Sequence, residues 1–126
     1  MNPDRLEQLF DLQRNLQVQT FHFDYNQPPL KLQEWSRYHS TRIIGESYEL
    51  LQELNIDFQT KGHREVDRQK VIEEGVDIFK FLLNVMLING VTPEEFHKAF
   101  IDKTEVNIKK VTRLDTHKTT DIRGQQ

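Results

Sequence analysis

From Val76 to Ile88 the chain is apolar at every position except Asp77, Lys80 and Asn84, and no stretch constrains the fold more. A helix apolar almost all round has to be covered on several sides. The run is too short and too interrupted to span a bilayer, which needs about 20 apolar residues. Its place is the centre of a helical bundle or a subunit interface.

The rest of the chain supplies helices to cover it. Asn2 reads as an N-cap with Pro3 at the first helical position, and Leu6, Leu9, Phe10, Gln13 and Leu16 recur at helical spacing to about Gln19. The stretch from Phe21 to Pro29 carries the Pro28-Pro29 pair and reads as a wrapping loop. A second amphipathic helix is predicted from about Leu32 to Asp57, then a polar linker with Gly62. Asp67 caps a third helix over 68–89. Thr92-Pro93-Glu94-Glu95 is a capping box that opens a fourth, which fades near Arg113. No segment alternates as a strand does. The expectation is an all-α four-helix bundle over residues 1–113, completed by dimerisation, with 114–126 as a flexible polar tail.

Composition narrows the function. The 126 residues include no cysteine, which removes thiol catalysis, disulfides and cysteine zinc sites. A net charge of −3 argues against nucleic-acid binding. The opening MNPDRLEQLF is charged where a signal peptide would be apolar, so a cytoplasmic protein without membrane association is expected.

Two places repeat one pattern: Arg42, Glu46, Glu49 on the second helix and Lys70, Glu74, Asp77 on the third. Each pair of carboxylates shares a helix face on the shoulder of the apolar arc. If the two helices pack through those arcs, four carboxylates meet, and they repel unless protonated or bound to cations. Oxygen-only ligands favour Mg²⁺, or Mn²⁺ as a substitute. No His follows three residues after Glu46, Glu49 or Glu74, so the Glu-x-x-His of di-iron bundles is missing. Solvated surface acids would show the same spacing. On the fourth helix Lys103, Asn107, Lys110 and Arg113 line one stripe, either a polyphosphate contact or a basic helix end favoured by the macrodipole. Trp35 shares the side of its helix with Glu46 and Glu49, where it would stack on a ring or pack between helices.

Glu46-Ser-Tyr-Glu49 followed by Glu74-Gly-Val-Asp77 resembles the signature of the all-α nucleoside triphosphate pyrophosphatases, the MazG-like proteins and dimeric dUTPases. The resemblance runs from about Leu6 to Arg113. Leu12-Gln13, and Phe100 with Lys103, Asn107 and Lys110, are similar to the dimeric dUTPase branch. Gly45 departs from the paired acids that open the MazG-like motif, and Phe58 to Arg64 replaces a Trp- and Lys-rich stretch of many dimeric dUTPases. The resemblance implies metal-dependent hydrolysis between the α and β phosphates of a nucleotide substrate, dUTP or another dNTP. It implies Glu46, Glu49, Glu74 and Asp77 as Mg²⁺ ligands, and Glu46 or Glu49 as the group that activates water. Lys103, Asn107 and Lys110 would hold phosphates, Gln13 would meet a base edge, and the oligomer would be a homodimer or a dimer of dimers. A phosphoribosyl-ATP pyrophosphohydrolase shares the motif. A non-catalytic helical interaction protein is the alternative from another class.

Overall fold

The structure, a computed structural model, describes residues 4–55, 62 and 64–117. It is all-α, with no strand among the described residues. Helix α1 spans Arg5–Asn15 and runs into a π-helical turn at Leu16–Thr20; α2 spans Pro29–Glu53, α3 Arg68–Ile88 and α4 Pro93–His117. The chain divides into two compact units, 1–91 and 92–126.

Local chemistry sets each boundary. Asp4, not Asn2, caps α1: its Oδ1 accepts from the backbone N–H groups of Leu6 and Glu7. Asn2 and Pro3 lie outside the described residues. The carboxylate is the stronger cap because it satisfies two free N–H groups at the positive end of the helix dipole. Helical structure runs to Thr20 much as expected, but its last turn is widened, with Phe21 N–H donating to Leu16 C=O five residues back. Helix α2 begins at Pro29, three residues earlier than the sequence suggested, since Pro28 fits the cap and Pro29 the first helical position, where no donor is needed. It ends at Glu53, and Asn55 takes a left-handed φ of 62°. Asp57 lies outside the described residues. Asp67 caps α3 through Gln69 and Lys70.

Helix α3 closes on Gly90, whose φ of 72° lets Val91 N–H reach Met86 C=O in the six-to-one bond of a Schellman ending. The capping box of α4 forms as read: Thr92 N–H donates to Glu95 Oε1 and Glu95 N–H to Thr92 Oγ1. Helix α4 extends to His117, beyond the expected Arg113, and 118–126 lie outside the described residues.

In the first unit α2 and α3 pack antiparallel along their length, and α1 also packs against α3. Facing positions fall in step: Ser36 meets Asn89, His39 meets Asn84, and Arg42 meets Phe81. Among the described residues the apolar core is small, with Phe10, Leu83 and Leu87 buried, while five polar side chains are buried as well: Gln13, Gln17, His39, Glu46 and Asn84. Polar burial on that scale is expensive unless each group has a partner or a ligand, which directs attention to what those five surround. Leu83 is 2% exposed, and Leu83→Ala should lower the unfolding free energy by about 3 kcal/mol, as an unfilled core cavity does. Urea denaturation at fixed protein concentration measures it.

Candidate metal centre and adjoining pocket

Antiparallel packing in this register brings the acids of α2 against those of α3. One carboxylate oxygen from each of Glu46, Glu74 and Asp77 lies within 4.8 Å of the others. Oxygens on opposite sides of a bound Mg²⁺ stand about 4.2 Å apart, so side-chain adjustments of under about 1 Å would close the set on an ion. Glu49 is exposed and lies outside that trio, yet it is near enough to raise the carboxyl pKa of both Glu46 and Glu74. All four carboxylates therefore converge.

Among the described residues this charge is neutralised only in part. Arg42, one turn before Glu46 on α2, donates from Nη2 to Glu46 Oε1 at 3.2 Å while its guanidinium lies over the Phe81 ring at 5.5 Å. Glu46 Oε2 and Glu74 Oε2 are buried with no hydrogen-bond partner. A buried carboxylate oxygen without a donor must meet a proton or a cation. The hydrogen bond shared with Glu49, then burial, then the charges of Glu49 and Asp77 push the Glu46 carboxyl up to about 7, against the opposing pull of Arg42. Glu74 is raised too, by burial first and then by the charges of Glu49 and Asp77. The oxygen-only donor set, the two orphaned oxygens and the spacing all fit a hard divalent cation.

Beside the acids opens a cavity of about 730 Å³, which Asp77 lines together with Lys80, Phe81 and Asn84 of α3. Its aromatic wall comes from Phe23, Trp35, Tyr38 and Phe81. Trp35 stands edge-on to Phe23 and Tyr38 and stacks on His39. Polar groups form the floor. Gln13 Nε2 donates to Asn84 Oδ1 at 2.8 Å, and Asn84 Nδ2 lies 3.5 Å from His39 Nδ1. An amide N–H facing Nδ1 makes it the acceptor and leaves the proton on Nε2; burial lowers the His39 pKa, which favours this neutral form. Gln13 Oε1 and His39 Nε2 then remain as a buried acceptor and donor without hydrogen-bond partners among the described residues. The widened turn at Leu16–Thr20 keeps Gln13, Leu16, Gln17 and Phe21 all on the cavity wall. A π turn of this kind commonly marks a functional site.

The structure thus brings Glu46, Glu49, Glu74 and Asp77 to one cluster and places Gln13 and Trp35 on the pocket beside it. Lys103, Asn107 and Lys110 are exposed on α4, in the second unit. Arg64, from the basic linker, donates to Gln52 C=O and so helps to end α2; Lys61 and His63 lie outside the described residues. Sequence reasoning missed His39, Asn84, Lys80 and Phe81. The signal was present in part, since Asn84 and Lys80 were the polar interruptions of the apolar third helix. No family model, curated protein or solved structure matches the chain.

The raised Glu46 carboxyl gives a pH signature. Between the ordinary carboxylate value of 4.5 and about 7 the folded protein binds more protons than the unfolded chain. This contribution to stability is full below that window and is lost as pH rises through it. Metal-free thermal melts from pH 5 to 8 should show Tm falling with pH. Glu46→Gln should flatten the slope, and Mg²⁺ should restore wild-type Tm at pH 8 without acting on the variant. A wild-type profile that does not fall would refute the converging acids.

Proposed function

We propose that the protein is a Mg²⁺-dependent nucleoside triphosphate pyrophosphohydrolase that converts a (deoxy)nucleotide to its monophosphate and pyrophosphate, with a dNTP such as dUTP as substrate and nucleotide-pool cleansing as its use. The observation that carries the reading is that Asp77 belongs at once to a cluster of acids with unpartnered carboxylate oxygens and to the wall of an aromatic pocket that Gln13, His39 and Asn84 also line. A nucleotide has the matching parts: a flat ring with donor and acceptor edges, joined to phosphates that need divalent cations.

Glu46, Glu49, Glu74 and Asp77 would hold Mg²⁺. When bound, the ion supplies charge neutralisation at the phosphate oxygens and acidifies the attacking water. Glu46 or Glu49 accepts the proton as the water oxygen bonds to the α phosphorus. The bond from that phosphorus to the α,β-bridging oxygen breaks, and pyrophosphate leaves. Arg42 keeps one Glu46 oxygen occupied and leaves the other facing its neighbours. Gln13 and His39 would meet the base edge, and Trp35 and Phe81 would flank the ring.

The test is pyrophosphate release from a panel of dNTPs and NTPs in Mg²⁺. One or a few nucleotides should be cleaved, and Glu46→Gln should reduce kcat on the order of 10²- to 10⁴-fold, the range of a lost general base. Glu74→Gln should weaken Mg²⁺ binding by on the order of 10-fold or more in calorimetry. No release from any nucleotide by folded protein would overturn the reading in favour of a helical interaction protein.

The same reading includes a homodimer. Ile44, Tyr48 and Leu51 form an apolar stripe on α2 opposite the acid face, with Ile44 71% exposed, more apolar surface than an isolated chain with so small a core would leave in water. Light scattering should give a mass of about 30 kDa, twice the 15.1 kDa of one chain. A mass of 15.1 kDa would remove the dimer from the proposal.

A further inference from the structure

The stretch between the pocket floor and the acids contains two cations. On α2, Arg42 lies one turn from His39 and one turn from Glu46; on α3, Lys80 lies one turn from Asn84 and one turn from Asp77. The two differ in what they already hold. The Arg42 guanidinium is committed to Glu46 Oε1 and to the Phe81 ring. Lys80 is half-buried on the cavity wall, and its ammonium has no ion pair or hydrogen bond among the described residues. Lys31, the other lysine on that wall, is exposed and reaches Glu34 at 3.4 Å. A half-buried lysine beside an acid cluster, yet paired with none of its members, is placed for an anion that arrives with the ligand.

We propose that Lys80 is the binding residue for the first phosphate of the ligand, the one attached to the sugar. This rests on the nucleotide reading of the pocket. A nucleoside seated against Gln13, Asn84 and His39 and extending toward Asp77 must carry its 5′-phosphate past the turn that bears Lys80, because Asn84, Lys80 and Asp77 follow one another along one face of α3. The ammonium would donate to a non-bridging oxygen of that phosphate. A charge-assisted bond of this kind strengthens as negative charge grows on the oxygen during attack. Lys80 would thus contribute to binding of the substrate and of the monophosphate product, and more to the reaction itself.

Trp35, the single tryptophan of the chain, lines the pocket, so its fluorescence reports occupancy without turnover. The full chain is titrated in Mg²⁺ with deoxyuridine, deoxycytidine, deoxyadenosine and deoxyguanosine, and with their 5′-monophosphates. For the base that binds, Lys80→Gln should leave nucleoside affinity unchanged and weaken the monophosphate by about 10- to 100-fold, the size of one charged hydrogen bond. Lys80→Arg should recover most of the loss, and kcat for triphosphate should fall further in Lys80→Gln than affinity does. If Lys80→Gln weakens nucleoside and monophosphate equally, or neither, Lys80 does not hold the phosphate and the nucleotide reading stands. If no nucleoside or monophosphate perturbs Trp35 in the wild type and no triphosphate is cleaved, both fall together.

Discussion

Asn84 is the residue on which the rest of the first unit depends. It is a buried amide in the largely apolar C-terminal half of α3, and it joins α1 to α2 through α3, accepting from Gln13 and facing His39. Apolar packing alone tolerates sliding of one helix along another, since leucine and isoleucine surfaces are forgiving. A buried amide is not, because moving it by one turn would strand its donor and acceptor in a dry interior. The alignment of α2 with α3, and with it the meeting of the four carboxylates, follows from that restriction.

Those carboxylates pull the other way. Four acids facing each other across a helix pair oppose the packing that brings them together, and Arg42 relieves only one oxygen of one of them. The first unit therefore holds a destabilising cluster in place with a small apolar core and a polar bridge. Proteins commonly accept local instability of this kind where a ligand removes it. The cavity alongside shows the same economy, since Gln13 and His39, which line it, each keep a buried polar atom with no hydrogen-bond partner among the described residues.

How much of this could be read beforehand depended on distance along the chain. The acid pairs were legible because their spacing of three is local and because two neighbouring helices with apolar arcs tend to pack through them. The capping residues Asp67 and Thr92 were legible for the same reason. The pocket was not. Gln13, His39 and Asn84 come from three helices, and nothing in the spacing of one reports the orientation of the others. Asn84 looked like an interruption of an apolar helix, and His39 like any polar residue on an amphipathic one. The widened turn after Asn15 was also invisible, since its residues, Leu-Gln-Val-Gln-Thr, carry no breaker and suit an ordinary helix equally well.

Helices α2 and α3 share one further property. His39 precedes Glu46 by seven residues on α2, and Asn84 follows Asp77 by seven on α3. Two turns of α-helix rise about 10.5 Å, so a rigid rod on each side sets the same span from the polar floor to the acids. On the proposed nucleotide reading the pair would act as a length gauge: a ligand would be selected not only for the ring at one end and the charge at the other, but for the separation between them that the two rods set.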